Sequence, residues 1–192
     1  HLYRTVSNRI WGIRKDITAN SVAYNVIDNF LPPEQFEEVR DSIMYHFDFP
    51  WYIHKRVNTV GKNCTEEYWN WYATHTFYRN DYATSQQCHR IYDIFIPRFI
   101  EMNIYHSLLR IKGNFYPHTE TLKEHAGHRD YLYSNTGALY SLNTCDGYTK
   151  FSDGTKSESI ANRIVFFDAS KEHSSTTTSN AKLRYNINFN FL

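Results

Sequence analysis

The sharpest patterning in the chain lies at its end. Leu183, Tyr185, Ile187, Phe189 and Phe191 form one apolar set, and Arg184, Asn186, Asn188 and Asn190 alternate with them. Period two predicts a strand over Leu183–Phe191. An ordinary half-buried strand turns its polar face to solvent; a barrel strand can line a pocket with it. A lone Arg among asparagines, with no Lys or Glu, favours the pocket. The same alternation occurs upstream: Leu109, Ile111, Gly113 and Phe115 fall on one face, and Arg110, Lys112, Asn114 and Tyr116 on the other. Further strands are expected at 138–143, 148–151 and 160–167, with turns at Cys145-Asp146-Gly147 and Ser152-Asp153-Gly154. Short strands separated by turn signals predict an all-β sandwich or barrel.

The first half reads differently. Residues 1–24 alternate weakly, and a strand is expected over 21–27. Pro32 and Pro33 stop it, and Pro33 with Glu34 opens a helix reaching about residue 46, because a missing N–H and a negative charge both suit a first turn. Phe36, Val39, Ile43 and Met44 give that helix its apolar stripe. A second helix is expected over 84–102, where Ile91, Ile94, Phe95 and Phe99 recur at helical spacing and Pro97 implies a kink or a break. Between the helices, residues 47–82 hold Phe49, Trp51, Tyr52, Tyr68, Trp69, Trp71, Tyr72, Phe77, Tyr78 and Tyr82. Such rings either pack over a sheet, the commoner role of aromatics, or form a substrate-facing lid. His54, Lys55, Arg56, Lys62 and His75 share the segment and suit either an anionic substrate or a solvated rim.

Composition narrows the picture. A chain of 192 residues suits one domain with a sizeable core, read here as a helical and aromatic part over 1–104 and a β core over 105–192. A net charge of +1 provides no global field for nucleic acid or an acidic membrane surface. No apolar run approaches the length of a bilayer span, and no secretory signal opens the chain. The 3 cysteines (Cys64, Cys88 and Cys145) include no C-x-x-C pair, so no structural zinc site is implied and a reduced cytoplasm is the simplest setting. Asn63-Cys64-Thr65 matches a glycosylation sequon that nothing else supports.

The candidate chemistry runs from His128 to Arg184. His128 and Asp130, two apart on extended chain, project to the same side. A later His173 can close a face of two imidazoles and one carboxylate, the ligand set of non-haem Fe(II). Arg184 follows eleven residues after His173; a planar guanidinium suits a carboxylate in a buried pocket. Taken alone, His128 reads more readily as a surface histidine, and His118, Glu120 and His125 form a rival set within a stretch, 117–127, that reads as loop.

With H-x-D, the distant His and the trailing Arg in this order, the chain resembles the Fe(II)/2-oxoglutarate-dependent dioxygenases. More narrowly it is similar to the compact prolyl-hydroxylase-like members, including small versions carried by marine phages. The resemblance covers roughly 26–192 and is sharp from Leu108 onwards. It implies a mainly β fold, a double-stranded β-helix (cupin-like jelly roll) with helices buttressing one sheet. It implies Fe(II) on His128, Asp130 and His173, with 2-oxoglutarate held by Arg184 and approached by Asn186. Asn114-Phe115-Tyr116-Pro117 is similar to an N-x-Y-x-P element of the nucleic-acid-repair (AlkB-type) members, with Pro117 one place early, and prolyl-hydroxylase-like members carry a tyrosine on the corresponding strand; the resemblance thus puts Asn114 and Tyr116 near the cosubstrate too. Asp146-Gly147-Tyr148-Thr149-Lys150-Phe151 partly matches a G-G-x-T-x-F element of the family, with Asp in place of the first Gly; Thr149 and Phe151 are read as structural. The implied activity is hydroxylation of a C–H bond in a protein side chain or small molecule, using dioxygen and releasing succinate and carbon dioxide. A repair-type dealkylase, or a catalytically silent jelly-roll binding or structural module, are the alternatives. The setting is the cytoplasm, of the host if the chain is of phage origin.

Overall fold

A computed structural model describes residues 24–57 and 67–192. The stretch 1–23, Lys62 and the Asn63-Cys64-Thr65 sequon lie outside them. Among the described residues the elements follow the order β1 (Tyr24–Ile27), α1 (Pro33–Met44), β2 (Tyr52–His54), β3 (Tyr72–Arg79), β4 (Tyr82–Ala83), α2 (Cys88–Glu101), β5 (Leu108–Pro117), β6 (Thr136–Ser141), β7 (Tyr148–Phe151), β8 (Lys156–Glu158), β9 (Ile164–Asp168), β10 (His173–Ser175) and β11 (Leu183–Phe191). No helix among them is long and apolar enough to cross a membrane.

An 8-stranded antiparallel sheet runs β1-β9-β6-β11-β5-β3-β2, with β4 paired to β3; a 3-stranded sheet, β10-β7-β8, faces it. Isolated bridges His118↔Thr178, Glu124↔Thr176 and His128↔His173 extend the smaller sheet along the irregular segment after β5. This is the jelly roll expected from the sequence. The helical and aromatic first half is not a separate layer, since β1, β2 and β3 all join the large sheet.

The alternation of β11 is explained by what covers each face. Its apolar set points at α2: Phe95 packs on Phe189 with ring centroids 4.7 Å apart, and Phe99 stacks on Phe191 at 5.2 Å. Ile187, Phe189 and Phe191 are fully buried there. Each buried ring contributes on the order of 1.5–3 kcal/mol, so a one-residue slip of register, which would turn the whole set to the polar face, is strongly disfavoured. The polar set is therefore forced to the opposite face, toward the smaller sheet. The asparagines there are buried as well.

The helices also follow their signals. Pro33 opens α1 with Glu34 in the first turn, and Val39 and Ile43 are buried. Helix α2 begins at Cys88, four residues later than expected, and runs unbroken through Pro97, which forgoes one backbone hydrogen bond. Asn162 fastens α1 to the sheet: its side chain accepts from Leu31 N and Tyr140 Oη and donates to Leu31 O.

Candidate metal centre and anion pocket

The two central strands pair in a register that builds one surface. Arg184 lies beside Tyr116, Asn186 beside Asn114, Asn188 beside Lys112, and Asn190 beside Arg110. Cross-strand partners project to the same face, so the polar sets of β5 and β11 merge into a single polar floor. β7 and β10 of the smaller sheet lie across from it.

His128 and His173 meet at the edge of this floor. Their backbones exchange two hydrogen bonds, each of 2.9 Å, and their rings lie 4.5 Å apart. Asp130 completes the group: one ligand atom from each of His128, Asp130 and His173 lies within 4.8 Å of the others. Asp130 Oδ1 is 3.8 Å from His128 Nε2 and 4.0 Å from His173 Nε2. That spacing and the mixed N/O donor set suit a divalent transition metal bound on one face.

The surroundings fix how each donor points. Asp130 Oδ2 accepts from Asn188 Nδ2 at 2.9 Å and from Asn190 Nδ2 at 3.0 Å, leaving Oδ1 as the atom turned to the imidazoles. Arg110 adds an ion pair to Oδ1 at 3.0 Å. Burial works against the carboxylate's charge, but Arg110, His173, Lys112 and the bond from Asn188 outweigh it and hold the Asp130 pKa well below the usual carboxylate range. His173 Nδ1 donates to Lys171 O at 3.0 Å, which fixes its tautomer and frees Nε2 as a donor atom. Burial, followed by His173, pushes His128 down to about 4, which favours its neutral, metal-binding imidazole.

Arg184 lies deeper. It is 1% exposed, yet its guanidinium reaches neutral acceptors: Thr176 O at 3.3 Å and Thr149 Oγ1 at 3.0 Å. Its Nε has no partner, and among the described residues no carboxylate pairs with it. Tyr116 covers it, with the guanidinium carbon 5.4 Å from the ring centroid. A buried cation without a counter-ion costs several kcal/mol unless an anion arrives. Gly147 makes room for this arrangement, since a Cβ there would sit 2.6 Å from Arg184 Cδ and 2.8 Å from Thr177 O.

The buried side-chain polar atoms without hydrogen-bond partners, among the described residues, are Asn114 Oδ1, His125 Nε2, His128 Nδ1, Arg184 Nε and Asn188 Oδ1. All belong to residues of this pocket or its wall. Native proteins rarely leave such groups unpaired; their concentration in one place marks a polar cavity.

The structure thus brings together His128, Asp130 and His173, and separately Arg184, Tyr116, Asn114 and Asn186, with Asn114 Nδ2 donating to Asn186 Oδ1 at 2.8 Å. The rival set divides: His118 and Glu120 are exposed, whereas His125 is buried, hydrogen-bonded to Ser175 Oγ at 3.0 Å and set against the Tyr116 ring at 5.4 Å. Thr149, read from sequence as structural, touches Arg184 directly. The His128 segment lies outside the named strands and is held by its bridge to β10, with Asp130 N donating to Ala169 O at 3.0 Å and His125 N to Ser175 O at 2.9 Å. Of the aromatics in 47–82, Phe49 and Phe77 are core, Trp69 and Tyr72 stand over His125 and Tyr116, and Tyr52, Tyr68 and Tyr82 are exposed. His75 is buried and bonded to Pro50 O and Ser85 Oγ, away from the triad. Sequence reading placed Arg110, Lys112, Asn188 and Asn190 on polar strand faces but gave none of them a role beside Asp130; their alternation with apolar residues was the available signal.

Neither a protein-family model nor a curated protein sequence matches the chain. Solved structures do. A Pseudomonas putida prolyl-4-hydroxylase aligns at TM-score 0.58 and 12% identity, over 88% of this chain and 92% of that one. The viral collagen prolyl hydroxylase of Paramecium bursaria Chlorella virus-1, solved with 2-oxoglutarate, gives 0.56 and 12%, over 89% and 97%. SnoN, a non-heme alpha-ketoglutarate-dependent epimerase from nogalamycin biosynthesis, gives 0.62 and 13%, over 88% and 77%. At these identities the likeness is one of fold: the chain shares the jelly roll of these enzymes.

Proposed function

We propose that this protein is an Fe(II)- and 2-oxoglutarate-dependent oxygenase that hydroxylates a C–H bond of a protein side chain or a small molecule. His128, Asp130 and His173 would hold the iron. Arg184, assisted by Tyr116, Asn114 and Asn186, would hold the cosubstrate. The observation that carries the reading is the buried, unpaired Arg184 beside a two-histidine, one-carboxylate group.

The spacing supports it. His173 pairs with Phe151 across β10 and β7, and Arg184 binds Thr149, two residues further along β7. Two strand residues span about 7 Å, a separation that a five-carbon dicarboxylate can bridge with one end at the metal and the other at the guanidinium. When bound, iron with 2-oxoglutarate supplies the oxidising power for C–H hydroxylation, using dioxygen and releasing succinate and carbon dioxide. The chain's own part is geometric. Asn188 and Asn190 restrict Asp130 to one donor oxygen, Lys171 O orients His173, and Tyr116 shields Arg184 from water, where the charge pair gains strength.

Titration calorimetry of 2-oxoglutarate into Mn(II)-loaded protein tests the assignment. Binding that requires the metal, and that is lost in both His173→Ala and Arg184→Gln, is the expected result. Metal-independent binding, or full affinity in Arg184→Gln, would contradict it.

A further inference from the structure

Lys112 is a cation the proposed cosubstrate does not account for. It sits on the polar face of β5 between Arg110 and Asn114, partly buried, with Asn188 beside it on β11 and Thr76 beside it on β3. Its Nζ lies 5.9 Å from the centroid of Tyr72, and no carboxylate forms an ion pair with it among the described residues. The charges acting on it are Arg110 and Arg79, which repel, and Asp130, which attracts.

The local charge pattern is lopsided. Arg79 stands directly opposite Arg110 in the β3–β5 ladder, and Lys112 follows two residues along the same face. Like charges so placed are destabilising. Asp130 is the carboxylate that acts on both Arg110 and Lys112, and it is already bonded to Arg110, Asn188 and Asn190 and turned toward the two imidazoles. Arg184, by contrast, sits at the far end of the floor beside Tyr116, four residues from Lys112 along β5. The pocket therefore has two separate cationic ends, one deep and one beside the metal group.

Resting on the oxygenase reading above, we infer that Lys112 binds an anionic group of the primary substrate, so that this enzyme acts on a carboxylate-bearing molecule whose acid group is seated beside the metal site. Tyr72, which also stacks on Tyr116 at 5.9 Å, reaches the ammonium with its ring, and the exposed His54, in ring contact with Tyr72 at 5.0 Å, is tied to Thr74 Oγ1 at 2.7 Å. They present a ring surface next to the ammonium, suited to a compact acid with an apolar carbon skeleton. The acid is either a free small molecule or an acidic side chain within a peptide; both offer the same carboxylate.

The test is calorimetric binding to protein loaded with Mn(II) and 2-oxoglutarate, which binds without turnover. Two matched pairs of probes are used: propionate against propionamide for a free acid, and N-acetyl-aspartate amide against N-acetyl-asparagine amide for a side chain. In at least one pair the acid should bind about tenfold or more tightly than the amide, the scale of one charge-assisted hydrogen bond. Which pair shows the preference identifies the source. Lys112→Met and Lys112→Gln should erase the preference while leaving 2-oxoglutarate affinity within about twofold, a change below ~0.5 kcal/mol. Equal binding of acid and amide, no binding of either acid at millimolar concentration, or a preference that survives both variants overturns the inference. So does a fall in 2-oxoglutarate affinity in the Lys112 variants, which would place Lys112 in the cosubstrate site. Failure of 2-oxoglutarate to bind the wild-type metal-loaded protein is a separate result and counts against the oxygenase reading itself.

Discussion

Asn188 donates from Nδ2 to Asp130 Oδ2 at 2.9 Å, joining residues 58 positions apart and fixing which oxygen of the carboxylate faces His128 and His173. The bond belongs to the polar face of β11, the same face that carries Arg184. One strand thus serves both the His128–Asp130–His173 group and the surroundings of Arg184. Partners of this kind typically change metal affinity by about 10–100-fold. Asn188→Ala is expected to weaken Mn(II) binding by that order, with the far-ultraviolet dichroism unchanged. Unaltered metal affinity in a folded Asn188→Ala protein would show that Asn190 and Arg110 suffice to hold Asp130.

Arg184 gives a prediction in which binding and stability diverge. Replacing a buried ionic group by an apolar one of similar size is often neutral or stabilising. Arg184→Met should therefore abolish 2-oxoglutarate binding while leaving the ligand-free protein no less stable than wild type in urea. A variant that loses stability and keeps 2-oxoglutarate affinity would mean the guanidinium has a structural role.

Gly147 tests the same pocket from behind. A methyl group there would meet Arg184 Cδ at 2.6 Å and the Thr177 carbonyl oxygen at 2.8 Å. Since real Cβ contacts are not that short, Arg184 or the backbone must shift. Gly147→Ala is expected to raise the 2-oxoglutarate dissociation constant about tenfold or more, consistent with a 1–3 kcal/mol overpacking cost. Wild-type affinity would show that the loop relaxes freely.

Stability should also depend on pH through His125. Burial, the largest influence, pushes its pKa from 6.5 down to about 4 in the folded protein. Below 6.5 the unfolded chain takes up a proton that the folded chain refuses. The stability contributed by neutral His125 is thus fully present above that value and is lost as pH falls toward about 4. Urea unfolding of metal-free protein should show this decline, and His125→Phe should reduce its slope by about one proton. An identical slope in the variant would place the titration on other groups.

Much of this was legible in the sequence. The alternation of β11 identified both its faces, and the spacing of His128, Asp130 and His173 named three side chains that lie together in the structure. What was not legible depends on pairing between distant segments. Arg110 and Lys112 show the right alternation on β5, but only the register that sets Lys112 beside Asn188 and Arg110 beside Asn190 brings them to the metal group. Thr149 and His125 were named but given other roles, since β7 is only 4 residues long and the segment before His128 has isolated bridges in place of a ladder, so no periodic signal shows which side chains meet Arg184 and Tyr116. Residues 47–82 mix core rings with pocket-wall rings, and composition does not separate the two.

The most direct test is anaerobic absorbance spectroscopy while Fe(II) and 2-oxoglutarate are added to metal-free protein. A visible charge-transfer band that needs both additions, disappears in His173→Ala and requires far more 2-oxoglutarate in Arg184→Gln is the predicted result. Folded wild-type protein that develops no band would contradict the assignment of His128, Asp130 and His173 and leave the jelly roll as a scaffold without this chemistry.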